Sequence, residues 1–253
     1  MVLNPSIDER CEIVWDKYWY MMRQREVTRM GFVKLGFYNR FVPEVLDPDE
    51  PMNDAEHIFE CLNLTMLVKD FFGDLWPEMF GYAPDWLGIY DQMLMHELGE
   101  VEIGDLTDDG SYDAFVKDAQ EDELNQKFLT DFPENVRRSH LAQFTEFQGN
   151  RCLGRCIDKA VFVLDQGIFK SYGIEGNMNC KALNHTLTER DLFYAQAAGS
   201  DRPVDAIYAH FLDVTRGLPW RFIFTGIIEA MYRAEYGENG EPGKVPEALK
   251  AFY

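Results

Sequence analysis

Basic side chains are scarce in this chain: 24 Lys and Arg stand against 44 Asp and Glu, a formal net charge of −20. A field of that sign repels phosphodiester backbones and argues against binding DNA or RNA polymers. Cysteine is sparse too. Cys11, Cys61, Cys152, Cys156 and Cys180 are odd in number and form no CxxC pair, which points to reduced thiols rather than a disulfide framework. They read as ordinary small core residues. No apolar run approaches the roughly 20 residues that a bilayer crossing needs. The start, MVLNPSIDERCE, lacks the basic-then-apolar order of a secretory signal. A cytoplasmic protein with no membrane contact is expected. Internal repeats, a P-loop and a GxGxxG are absent, and alternating strand patterns nearly so.

What is present is helical. A length of 253 residues with 46% hydrophobic side chains can bury a sizeable core. Helices are expected over Ile7–Arg29, from Asn53 or Asp54 to about Phe72, and from Asp85 past His96 to a break at Gly104–Ser111. Further helices are expected over Tyr112–Leu129, Asn135–Gln148, Cys152–Tyr172, Pro203–Thr215 and Trp220–Tyr236. Gly73–Pro84 reads as a loop, and a Gly/Pro-rich tail begins at Gly237. On the Asp54–Phe72 helix, Ile58, Leu62, Thr65 and Met66 form the inward stripe, with His57 near it. The fold class is all-α, a single domain with a core of about residues 8–172 and a helical extension over about 173–253.

The densest chemistry lies in Met93–Leu106, MLMHELGEVEIGDL. Read as one helix, Glu100 shares a side with His96 and Glu97, while Leu94, Leu98 and Val101 are apolar. A histidine gives a neutral nitrogen and one carboxylate an oxygen to a divalent ion, leaving a second carboxylate for proton transfer. His96-Glu97-x-x-Glu100 begins like HExxH, but Glu100 stands where a second zinc-binding histidine is required. A ferritin-like di-iron site would need paired Glu-x-x-His motifs, and one metal's worth of ligands is visible. An EF-hand reading of Asp105–Val116 fails because Val116 occupies the position of the bidentate Glu. A distributed set fits better: His57, His96 and Glu97, and Asp158, an isolated acid in the apolar stretch CIDKAVFVLDQ. A carboxylate in such a helix must be paired or metal-bound to offset its desolvation. Upstream, six basic residues and the single acid Glu26 lie between Lys17 and Arg40. That local reversal of charge suits an anionic ligand.

The order His, His-acid, Asp resembles the HD-domain phosphohydrolases. The segments AEHIFECL (55–62), MHELGEVEIGDL (95–106) and CIDKAVFVL (156–164) are similar to the 5′-deoxynucleotidase branch, over roughly residues 20–170. The resemblance implies that His57, His96, Glu97 and Asp158 hold one divalent ion, that Glu100 is the catalytic acid, and that Asp105 meets the substrate sugar. Arg29-Met30-Gly31-Phe32 is similar to the family's R-x-G-W segment, which would give Arg29 and Phe32 to nucleotide binding. Glu97 stands where the family has Asp, and Phe32 where an indole is usual.

The function so implied is metal-dependent hydrolysis of (deoxy)nucleoside 5′-monophosphates to nucleoside and phosphate. The mixed N/O donors admit manganese, cobalt, iron or nickel, with zinc and magnesium as further candidates. The expected partner is a small nucleotide, with a homodimer as the family's implied assembly. The alternatives are an HD-type hydrolase of a triphosphate, a cyclic nucleotide or (p)ppGpp, and a non-catalytic helical binding protein with a degenerate metal site.

Overall fold

The computed structural model describes residues 53–104, 114–149, 151–171, 189–200, 202–237, 241 and 243–252. Asn53 opens the first of the described helices, α1 (Asp54–Phe72). Its Oδ1 accepts from the Glu56 backbone N–H, and the Glu56 carboxylate accepts from the Asn53 N–H, both at 3.2 Å. This reciprocal pair satisfies two otherwise orphaned donors of the first turn. The inward stripe of α1 is Asp54, His57, Ile58, Cys61, Leu64, Thr65 and Val68, a spacing of three and four that keeps one face on the core. Leu62 is only partly buried against that core and Met66 is exposed. The face is therefore rotated from the expected one, toward His57 and Cys61.

The expected Gly73–Pro84 loop contains a short helix, α2 (Trp76–Phe80), closed by Gly81 in the left-handed region at φ 80°. Trp76 is fully buried, edge-on to Trp86 at 5.5 Å. Asp85 caps α3 (Trp86–Met95) by accepting from Gly88 N–H at 3.1 Å. The segment that follows departs from a continuous helix. Residues 96–99 are turns and α4 is only Glu100–Ile103, ending at Gly104 with φ 76°. Bonds of i→i−3 type, Leu98 N–H to Met95 O and Glu100 N–H to Glu97 O, tighten this stretch. At the same place the Met93 carbonyl, which a continuing helix would offer to the Glu97 N–H, accepts from the His96 ring.

α5 (Ala114–Phe128) runs into a 3-10 turn (Leu129–Asp131), and α6 (Glu134–Gln148) begins just after Pro133. Met95, Leu98, Phe128 and Leu129 form a small apolar cluster beneath the turn segment. α7 (Leu153–Ser171) is the centre of the molecule: α1, α3, α6 and two C-terminal helices all pack on it. Gly154 permits the approach to α3, since a Cβ there would collide with the Gln92 side chain. Beyond residue 188 come α8 (Glu189–Ala198), α9 (Pro203–Val214), α10 (Arg221–Glu235) and a 3-10 turn (Glu247–Phe252). Neither α8 nor the closing turn was expected, yet Tyr194, Ala198 and Leu249 are buried in the main core.

The C-terminal helices join α7 through apolar side chains, and a buried polar knot ties two of them to each other. Tyr208, Phe211, Phe224, Ile228 and Tyr232 belong to the same core cluster as Ile157, Ala160 and Val161. Asp205, fully buried, accepts from Arg202 Nε at 2.8 Å and from the Tyr232 hydroxyl at 2.7 Å. The Tyr236 hydroxyl donates to Gln166 O on α7 at 3.1 Å. Among the described residues the fold is all-α with no strand, and no helix is long and apolar enough to cross a membrane.

Candidate metal centre

Three segments meet where α1, the end of α3 and α7 touch. The stripe of α1 brings His57 inward, the C-terminus of α3 delivers His96 and Glu97, and α7 supplies Asp158. All four are buried, as is Glu100 at the head of α4. The imidazole rings of His57 and His96 lie edge to face at 5.5 Å. Asp158 Oδ1 is 3.1 Å from His57 Nε2 and 3.9 Å from His96 Nε2. Glu97 Oε1 is 3.2 Å from His96 Nε2 and 3.8 Å from His57 Nε2.

Those separations fit a shared cation. Nitrogen and oxygen donors held at about 2.0–2.2 Å from one ion stand about 2.9 Å apart at a right angle and about 4.2 Å apart when opposite. The four observed values lie inside that interval. The orientation of His96 fits as well. Its Nδ1 is 3.0 Å from Met93 O, and because a carbonyl only accepts, Nδ1 is the donor there and Nε2 is the nitrogen turned toward Glu97 and Asp158. That Nε2 is buried and makes no hydrogen bond. The His96 ring is further fixed by Phe147, whose ring centroid lies 5.0 Å away, with the Arg155 guanidinium on the same phenyl ring at 5.1 Å.

Asp158 divides its two oxygens. Oδ1 faces the histidines, while Oδ2 receives Arg155 Nη1 at 3.2 Å and Lys159 Nζ at 3.1 Å. The salt bridge and the metal-facing role therefore coexist in one carboxylate. Burial pushes its pKa up, but Lys159, the His57 hydrogen bond, Arg155 and His96 together outweigh that and hold it well below the ordinary range. Asp158 is an anion at any physiological pH.

Sequence reasoning missed two features of this centre. Cys61, one turn after His57 on α1, brings its Sγ to 3.5 Å from His57 Nε2. His57, Cys61, His96 and Asp158 form a buried group with ligand atoms all within 4.8 Å of one another, so the group can hold a metal ion. The spacing His-x-x-x-Cys on one helix face was the available signal. The second feature is a neighbouring group of His57, Glu60 and Asp165, again with ligand atoms within 4.8 Å of one another. A carboxylate this close to a ligating histidine is placed to orient its ring.

Of the residues expected at the site, His57, His96, Glu97 and Asp158 are together, and Glu100 is buried three residues beyond Glu97. Arg29, Phe32 and Asp105 lie outside the described residues.

No protein-family profile matches the chain, and no curated protein does. Four solved chains match in structure. One is a conserved hypothetical protein from Pyrococcus furiosus, 19% identical, superposing with a TM-score of 0.50 over 86% of this chain and 98% of its own. At that identity the likeness concerns the fold alone.

Proposed function

We propose that the chain is a metal-dependent phosphohydrolase of HD-domain type, acting on (deoxy)nucleoside 5′-monophosphates. The observation that carries this reading is the position of one carboxylate oxygen, Asp158 Oδ1, between the Nε2 atoms of two buried histidines from distant parts of the chain. His57, His96, Glu97 and Asp158 would hold one divalent ion. When bound, that ion supplies Lewis acidity, polarising a phosphate oxygen and making an adjacent water more acidic.

The chain's own groups do the rest. His96 is held in orientation by the Met93 carbonyl, so its donor atom needs no reorganisation to bind. Glu100, buried beside the ligands but outside their set, takes a proton from the attacking water or delivers one to the leaving 5′-oxygen. Arg29, with its planar fork, matches phosphate oxygens. By the family resemblance, Phe32 would help hold the nucleotide and Asp105 would accept from a sugar hydroxyl. Nucleoside monophosphates are favoured over polymers because the net charge of −20 repels long polyanions.

A panel of nucleoside mono-, di- and triphosphates, cyclic nucleotides and (p)ppGpp, assayed for released phosphate with and without manganese or cobalt, tests the reading. Metal-dependent phosphate release from 5′-monophosphates is expected. Turnover confined to another nucleotide class would move the substrate assignment, and no turnover by metal-loaded protein on any of them would overturn the enzyme reading.

A further inference from the structure

Cys61 carries an inference that deepens the metal reading and rests on it. His57 and Cys61 are four residues apart on α1, so their side chains leave the helix on the same side. Cys61 is fully buried, and its Sγ stands 3.5 Å from His57 Nε2. A thiolate at about 2.3 Å and an imidazole nitrogen at about 2.0–2.1 Å from one ion are separated by about 3.1 Å at a right angle and about 3.8 Å at 120°. The observed distance falls between them. His96 Nε2, buried and making no hydrogen bond although Glu97 Oε1 is 3.2 Å away, belongs to the same four-residue group.

We propose that Cys61 is a metal ligand, bound as its thiolate to the ion held by His57, His96 and Asp158, so that the centre is sulfur-containing rather than purely N/O. Binding exchanges one S–H bond for one metal–sulfur bond and releases one proton to solvent. The consequence is selectivity. A thiolate is a soft donor, so zinc, cobalt(II) and iron(II) are preferred over manganese and magnesium, which favour oxygen ligands. Glu97 Oε1, 3.2 Å from His96 Nε2, borders the four-residue group on the His96 side.

Titration of the metal-free, full-length chain with cobalt(II) tests this, with the near-ultraviolet thiolate-to-cobalt charge-transfer band as the readout. Wild type is expected to develop the band to saturation at one equivalent. Cys61→Ser is expected to bind cobalt without it, while the double variant Cys152→Ser/Cys156→Ser keeps it. Cobalt bound by wild type without the band, or a band that survives in Cys61→Ser, overturns the thiolate ligand and leaves the metal centre standing. No cobalt bound by wild type overturns both. Should Cys61→Ser fail to fold, X-ray absorption on zinc-loaded wild type decides: one sulfur scatterer at about 2.3 Å supports the proposal, and a shell of nitrogen and oxygen alone defeats it.

Discussion

Asp158 Oδ1 lies 3.1 Å from His57 Nε2, although 101 residues separate them in the chain. The contact ties α1 to α7 at the point where both are buried, and it is made by a carboxylate whose other oxygen is already held by Arg155 and Lys159. A buried anion supported in this way is pre-set for a cation: its desolvation is offset before the ion arrives. Asp158→Ala removes one partner from this buried arrangement and should cost about 3–5 kcal/mol of stability. Asp158→Asn keeps the shape and loses the charge. Its metal content after purification should fall to background while the helical circular dichroism is retained, and full occupancy in that variant would contradict the ligand assignment.

His96 and Glu100 should separate binding from turnover. His96→Ala removes a donor atom and should lose bound metal. Glu100→Gln should retain metal, measured by elemental analysis, and lose about 10²–10⁴-fold in kcat, the range associated with a positioned proton donor. Unchanged kcat in Glu100→Gln would exclude it from proton transfer.

Asp165 should act on the metal through His57. Asp165 is buried in a group with His57 and Glu60 whose ligand atoms lie within 4.8 Å of one another, where its carboxylate can orient the ring. Asp165→Asn should weaken metal affinity by about 10–100-fold, with the stoichiometry still one. Competition against a fluorescent chelator measures both quantities. An unaltered affinity would reduce Asp165 to a packing role.

The knot between α9 and α10 predicts alkaline sensitivity. Burial, then the charge of Asp205 and its hydrogen bond, push the Tyr232 hydroxyl well above its ordinary range near 10. The sign follows from linkage. The folded state holds the phenolic proton more tightly than the unfolded one, so this stabilisation is complete below about pH 10 and is lost as pH rises through the folded value. Tyr232→Phe should flatten that part of the stability profile. At neutral pH it should cost about 1–3 kcal/mol, because Asp205 loses a buried donor. Urea melts at pH 7 and above 10 provide the comparison.

Much of the fold was legible because its boundaries are chemical. Asn53 with Glu56, Asp85, and Pro133 before α6 each mark a helix start that local hydrogen bonding or proline geometry enforces. The convergence of His57, His96 and Asp158 was legible for a related reason: polar groups set in apolar helices have to find one another. The break after Met95 was not. MLMHELGEVEI is rich in helix formers, and the His96 ring that meets the Met93 carbonyl is a side chain whose direction the sequence does not specify. Cys61 was hidden by its own ordinariness, since a small thiol on a buried stripe looks the same whether it fills space or offers a lone pair. α8 was missed because, of its described side chains, Tyr194 and Ala198 are the buried ones, too narrow a stripe to register as periodicity.

α7 carries Asp158 to the histidine cluster and also receives α9 and α10. A helix enclosed in this way cannot loosen at one end of the molecule without disturbing the other. Heating should therefore silence the centre and melt the body in a single step, with ion release and loss of ellipticity sharing one midpoint. By the same logic, a proteolytic nick far downstream, in the loop between α9 and α10, would be felt at His57 as surely as a change to the imidazole itself.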